Sequence, residues 1–98
     1  MAIRLCDPLE AAVLYSNRAA AYAGMSHFVK SLEDADQAVR LQPQVAKGHN
    51  RRGTALLGMR RWQQASVAFR KALMLEPGST VALEGLQAAA AGAREFPE

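Results

Sequence analysis

Lys47 and Arg51 stand four residues apart, so on a helix they lie on one face. They belong to a basic stretch, residues 46–75, that contains seven Lys or Arg residues and no Asp or Glu. Asn17 lies 34 residues before Arg51. Two cations and an amide can bind a carboxylate through charge-assisted hydrogen bonds, and capture of a C-terminal carboxylate is a known mode of peptide recognition. Asn17, Lys47 and Arg51 are therefore candidate carboxylate-binding residues, provided that the fold brings them together.

The elements that must position these side chains are indicated by an internal repeat of 34 residues. Gly24 aligns with Gly58 and Pro43 aligns with Pro77, and the units end in the similar segments AVRLQP and ALMLEP. Apolar and small residues recur within each unit at helical spacing, so each unit is predicted to form two helices. A proline ends each unit because it is incompatible with a helix interior.

Several helix starts are also predicted from capping residues. Asp7 followed by Pro8 is typical of an N-cap and the first helical position. Ser26 is predicted to cap the second helix of the first unit, and Ser79 a helix near the C-terminus. In the basic stretch, Arg52 lies about 100° round the helix from Arg51, so it is predicted to pack along a neighbouring helix or to face solvent.

The repeat resembles the tetratricopeptide repeat, whose signature places aromatic, small and proline residues at fixed offsets. The residues that carry the match are Tyr15, Ala19, Tyr22, Phe28, Ala38 and Pro43 in the first unit and His49, Gly53, Leu56, Trp62, Ala65, Phe69, Ala72 and Pro77 in the second. The resemblance implies an all-α fold. The expected architecture is an α-solenoid of two antiparallel helix-pair repeats, residues 12–45 and 46–79, plus a C-terminal capping helix.

The two ends of the chain complete this organisation. Residues 1–11 are predicted to be either the remnant of a preceding repeat or a helix start. Residues 80–92 resemble the extra helix that covers the last repeat, and residues 93–98 are predicted to fray. Because such stacks usually need about three units, we expect a fragment or short isoform of a longer array, truncated in its first repeat.

A closer resemblance involves LYSNRAAAY (residues 14–22) and AKGHNRRGTAL (residues 46–56). These segments resemble the dicarboxylate-clamp subclass of co-chaperones, which bind the acidic Glu-Glu-Val-Asp C-terminal tails of the seventy- and ninety-kilodalton heat-shock chaperones. The carboxylate-binding positions of that subclass correspond to Asn17, Lys47 and Arg51. Two further positions of the clamp, a Lys and an Asn on an earlier helix, have no counterpart among these residues. The resemblance implies a protein–protein interaction module that binds acidic tails in a concave basic groove.

Three alternatives remain open at the level of sequence. Asn17 by itself could be an ordinary surface amide. The apolar face of the first helix, if left uncovered, could bind another chain and produce a homodimer. The seven cations could bind RNA phosphates, although they are dispersed around two helices and the aromatic residues occupy packing positions, which makes nucleic acid the weaker interpretation.

Other classes of function find no support in the sequence. No paired carboxylates, Gly-rich phosphate loop or nucleophile with a supporting base indicate an enzyme, and no cofactor is expected. His27 and His49 lack the partners of a metal site, and His49 is predicted to fill the aromatic position of the repeat. Cys6, the single cysteine, excludes an intrachain disulfide. Without a membrane-spanning run or signal peptide, the predicted location is cytoplasmic, or nuclear, with no membrane partner.

Overall fold

Five α-helices make up the part of the chain that the structure describes. The computed structural model describes residues 7–96, and these contain no β-strand. The helices are α1 (Pro8–Gly24), α2 (Phe28–Leu41), α3 (Ala46–Gly58), α4 (Trp62–Leu75) and α5 (Thr80–Glu95). Two antiparallel pairs, α1 with α2 and α3 with α4, stack through α2 and α3, and α5 packs against α3 and α4. The predicted all-α solenoid with a capping helix is confirmed.

Two of the predicted caps begin their helices as expected. The Asp7 carboxylate accepts a hydrogen bond from the backbone N–H of Glu10 at 2.9 Å, with Pro8 in the first turn of α1. The Ser79 hydroxyl oxygen accepts one from the backbone N–H of Ala82 at 3.3 Å. Each cap satisfies a donor that has no partner within its own helix. The alternative that the chain begins with the end of an earlier repeat's helix concerns residues 1–6, which lie outside the described residues.

The prediction that Ser26 caps α2 is wrong. Ser26 has a φ of 61°, in the left-handed region, and α2 begins after His27, whose side chain makes no capping bond. The backbone N–H groups of Ser26 and His27 instead donate to carbonyl oxygens in the last turn of α1, at 3.0 and 2.8 Å. Ser26 thus ends α1, because a left-handed residue is needed there to reverse the chain. Arg60 has the same conformation, with a φ of 60°, at the end of α3.

The hydrophobic core lies where α3, α4 and α5 meet. Phe69 and Leu56 are its largest side chains, each 1% exposed, and most of the surrounding buried residues are alanines. Gly53 on α3 and Gly85 on α5 both face the ring of Phe69, and a Cβ added to Gly53 would lie 2.7 Å from it. The ring therefore fills the space between two helices that can approach it only because these positions carry no side chain.

The α5 helix continues to Glu95, three residues beyond its predicted end at residue 92. The carbonyl oxygen of Phe96 accepts a hydrogen bond from Trp62 Nε1 at 2.6 Å. The guanidinium of Arg60 lies 4.7 Å from the centre of the Phe96 ring, a cation–π distance. These contacts explain why residues 93–96 do not form the frayed segment that was expected: they are tied to the start of α4, which is 34 residues away in the sequence.

Candidate functional site

Asn17 and Lys47 meet across the neighbouring helices α1 and α3. Both side chains are exposed. The ammonium of Lys47 donates to Asn17 Oδ1 at 3.4 Å, a long hydrogen bond that leaves the other donors of the ammonium and both N–H groups of the Asn17 amide available. The stacking of the two repeats thus brings together two candidate residues that stand 30 positions apart in the sequence.

Arg51 lies one helical turn after Lys47 and is half-buried. Its Nε atom is buried and has no hydrogen-bond partner. Within residues 7–96, neither Lys47 nor Arg51 forms an ion pair with a carboxylate. The two cations border the same open cavity, which has a volume of about 560 Å³. A ligand that reached both would therefore meet positive charge that the described residues do not neutralise.

The cavity is bounded by three elements: the start of α3, the end of α4 and the start of α5. Its polar lining residues are Gln44, Lys47, Asn50, Arg51, Glu76 and Ser79, and its apolar lining residues are Val45, Ala46, Leu75 and Val81. Mixed polar and apolar walls are typical of sites that hold an extended ligand, in which a few polar groups fix orientation. The basic side of this cavity comes from α3, and α5 supplies part of the opposite wall.

Asn50 was not identified from the sequence. It is 8% exposed, and its Oδ1 atom is buried without a partner. Buried side-chain polar atoms are nearly always hydrogen-bonded, so an unpaired one needs an explanation. The available signal was its spacing: three residues after Lys47 and one before Arg51, Asn50 had to lie near the basic face of α3. Only the packing of α5 beside it determines that this amide is buried.

The remaining cations of the basic stretch have other partners or positions. Arg52 Nε donates to Asp36 Oδ1 on α2 at 2.8 Å, so the side chain predicted to pack along a neighbouring helix forms an ion pair there. Arg60 contacts Phe96, whereas Arg61 and Arg70 are exposed away from the cavity. Among the seven, Lys47 and Arg51 are thus the cations that line the cavity.

The histidines of the chain do different things. His49 is 8% exposed, in keeping with a packing role, and its Nε2 lies 2.9 Å from the carbonyl oxygen of Pro43. A carbonyl can only accept, so Nε2 carries the proton. His27 stacks beside Tyr22, with ring centres 6.2 Å apart. Across residues 7–96, no three His, Cys, Asp or Glu side chains are grouped as a metal site would require. In the same range, no helix combines the length and apolarity needed to cross a bilayer.

Comparison of the sequence with known proteins places it among helical repeat proteins. Residues 46–79 match a family model described as tetratricopeptide repeat. The chain is 42% identical over 74 residues to heat shock protein STI1 of Saccharomyces cerevisiae, a match that covers 76% of this chain and 13% of the yeast protein. The chain therefore corresponds to a small part of that relative's length.

Comparison of the fold gives the same result. The TPR domain of Arabidopsis OM64 superposes with a TM-score of 0.76 at 31% identity, over 84% of this chain and 74% of that one. The second TPR domain of human RPAP3, solved in complex with the HSP70 peptide SGPTIEEVD, superposes with a TM-score of 0.77 at 33% identity, over 81% of this chain and 66% of that one. The peptide in that complex ends in an aspartate and contains two glutamates.

Proposed function

Because the chain belongs to the tetratricopeptide repeat family, we propose that it is a co-chaperone-like adaptor that binds the acidic C-terminal tails of heat-shock chaperones. In this proposal Asn17, Lys47 and Arg51 hold the carboxylates of the tail. The protein acts by recognition and not by catalysis, without a cofactor, and its place of action is the cytoplasm, where such chaperones are met.

The observation that carries the proposal is the convergence of an amide and an unpaired ammonium, Asn17 and Lys47, at 3.4 Å. Arg51 follows one turn along the same helix and borders the same cavity as Lys47. A terminal carboxylate can accept from the Asn17 amide and the Lys47 ammonium together, while Arg51 offers its outer guanidinium nitrogens to a second carboxylate. A related domain, from RPAP3, has been solved with a peptide that carries these groups.

Titration of the full chain with the peptide SGPTIEEVD tests this function. The free-acid form is expected to bind with a micromolar Kd, and the C-terminal amide to bind at least about tenfold more weakly, because each charge-assisted hydrogen bond contributes about 1.5–3 kcal/mol. Affinity is expected to fall as salt is raised, since Lys47 is exposed and screened.

Lys47→Ala and Arg51→Ala are each expected to weaken binding about tenfold or more. Arg70→Ala is the matched control, since it removes one positive charge from an exposed position on α4 outside the cavity. Equal affinity for the free acid and the amide, or equal losses in all three variants, would show that the tail is not bound through its terminal carboxylate.

Self-association is a second candidate function, favoured by the outer face of α1. Leu9 is 63% exposed and Val13 is 48% exposed, and with Leu14 they form a recess of about 350 Å³ that is almost wholly apolar. An apolar recess of this kind on a helix face suits a second copy of the chain. Sedimentation at high micromolar concentration is expected to show a dimer that Leu9→Glu dissociates, and a monomeric mass for the unaltered chain would remove this function.

A further inference from the structure

Asn50 and Arg51 present a matched pair of unsatisfied groups to the cavity beside the proposed carboxylate site. Asn50 Oδ1 is an acceptor and Arg51 Nε is a donor, and both atoms are buried without partners. Asn50 as a whole is 8% exposed and is a lining residue of the cavity. A buried acceptor and a buried donor without partners each lower stability by roughly 1–3 kcal/mol, so the pair is explained if a ligand satisfies both.

An amide is the group that fits this pair, because it carries an N–H to donate and a carbonyl oxygen to accept. A further carboxylate fits poorly, since it has no proton to offer Asn50 and would approach Glu76, which lines the same cavity. Val45, Leu75 and Val81 supply apolar walls for the carbon atoms on either side of the amide. The cavity, of about 560 Å³, has room for one or two residues of an extended peptide.

We propose that the cavity between α3 and α5 is an amide-binding subsite, in which Asn50 Oδ1 accepts an N–H of the bound peptide and Arg51 Nε donates to a carbonyl oxygen. This inference rests on the proposed function, because the peptide is the acidic tail held by Asn17 and Lys47. Arg51 serves both sites: its outer nitrogens bind a carboxylate, and its Nε points inward to the amide. Asn50 thereby selects the residue that enters the cavity.

The amide can come from the main chain of the tail or from a side-chain carboxamide, and two peptide series distinguish these sources. In the first series, each of the last four backbone nitrogens of SGPTIEEVD is methylated in turn, which removes one N–H at a time. In the second, the final aspartate is replaced by asparagine, which keeps the terminal carboxylate and supplies a side-chain amide. Both series are titrated into the unaltered full chain and into Asn50→Leu, which has similar volume but no acceptor.

Asn50→Leu is expected to weaken binding of SGPTIEEVD about tenfold if the main chain is the source, since one buried hydrogen bond is lost and an N–H is left unpaired. One methylated peptide should then lose a similar factor with the unaltered chain and little more with Asn50→Leu. If the side chain is the source, the asparagine peptide should bind the unaltered chain several-fold more tightly than SGPTIEEVD, and Asn50→Leu should abolish that gain.

Thr54→Val is the matched control, because it alters the next turn of α3 by removing the hydrogen bond from Thr54 Oγ1 to the Asn50 carbonyl, at 3.0 Å, without reaching the cavity lining. Asn50→Ser is a second variant in case leucine disturbs folding, which circular dichroism would reveal. Affinities within twofold of the unaltered chain for both Asn50 variants, with Lys47→Ala still defective, would overturn the subsite and leave the proposed function intact. Failure of the unaltered chain to bind the free-acid peptide would overturn both.

Discussion

Arg18 and Arg52 occupy equivalent positions of the two repeats, and both form ion pairs with α2. Arg18 donates through two nitrogens to the carboxylate of Asp34, at 2.7 and 2.8 Å, and Arg52 Nε donates to Asp36 at 2.8 Å. The Asp34 side chain is 8% exposed, whereas those of Arg52 and Asp36 are 35% and 37% exposed. Hydrogen bonding to Asp34 raises the pKa of Arg18, so the guanidinium stays charged. The two pairs look alike but differ in burial.

Arg18→Ala is expected to lower the free energy of unfolding by about 2–3 kcal/mol, because it leaves the buried Asp34 carboxylate without its partner. The loss falls at or below the lower end for a buried pair because the Arg18 side chain is itself 37% exposed. Arg52→Ala, the matched control, should cost less than about 1 kcal/mol, as exposed pairs do. Urea unfolding measures both, and equal losses would contradict the assigned difference in burial.

At the scale of helices, the second helix of each unit starts with an aromatic ring against a glycine of a following helix. A Cβ on Gly58 would overlap the ring of Phe28, and one on Gly92 would overlap the ring of Trp62. Phe28 and Trp62 are 34 residues apart, as are Gly58 and Gly92. The α5 helix thus packs on the second repeat as α3 packs on the first. This explains why α5 remains helical to Glu95.

Gly58→Ala is expected to destabilise the fold by about 1–3 kcal/mol, since the added methyl group displaces the Phe28 ring and with it the contact between α2 and α3. Gly24→Ala is the matched control at the equivalent position of the first repeat, where an added Cβ meets nothing within 4 Å. That change should be neutral or stabilising by up to about 1 kcal/mol, because alanine is the better helix former. Thermal unfolding of the two variants decides the point, and similar midpoints would contradict it.

At the scale of the whole molecule, α5 contributes to both the core and the cavity. It supplies Gly85 against Phe69, together with the buried Ala82 and Ala89. Ser79 and Val81, at its start, line the cavity that Lys47 and Arg51 border. Each unit of a repeat stack contacts only its neighbours, so the last unit depends on what covers it. Stability of the second repeat and the shape of the candidate site are therefore coupled through α5.

Deletion of residues 80–98 is expected to abolish cooperative unfolding, because it exposes the Phe69 side chain, which is 1% exposed in the full chain. Burial of a large side chain contributes about 1.5–3 kcal/mol, a substantial part of the stability of a domain this small. Urea unfolding and binding of a hydrophobic dye measure the effect. Deletion of residues 97–98 alone serves as the control, and an unchanged midpoint without α5 would refute this dependence.

Much of the fold followed from the sequence because a repeat specifies itself twice. The period fixed which segments are equivalent, and helical spacing together with Pro43 and Pro77 fixed the four repeat helices. The N-caps of Asp7 and Ser79 were predicted because capping is a local hydrogen bond between neighbours in the chain. Ser26 was misassigned since serine suits both ends of a helix connection, and only the backbone conformation separates the two roles.

For the candidate site, the sequence by itself determined that Lys47 and Arg51 share a helix face and that Asn17 belongs to the equivalent helix of the preceding repeat. Periodicity is sufficient for that, since it orders residues along and around a helix. Only the tertiary structure decided that Arg52 turns to Asp36, that Trp62 holds the end of α5, and that Asn50 is buried with an unpaired oxygen. These outcomes depend on which groups of other helices come within hydrogen-bonding distance or exclude water. Residue spacing along one helix does not contain that information.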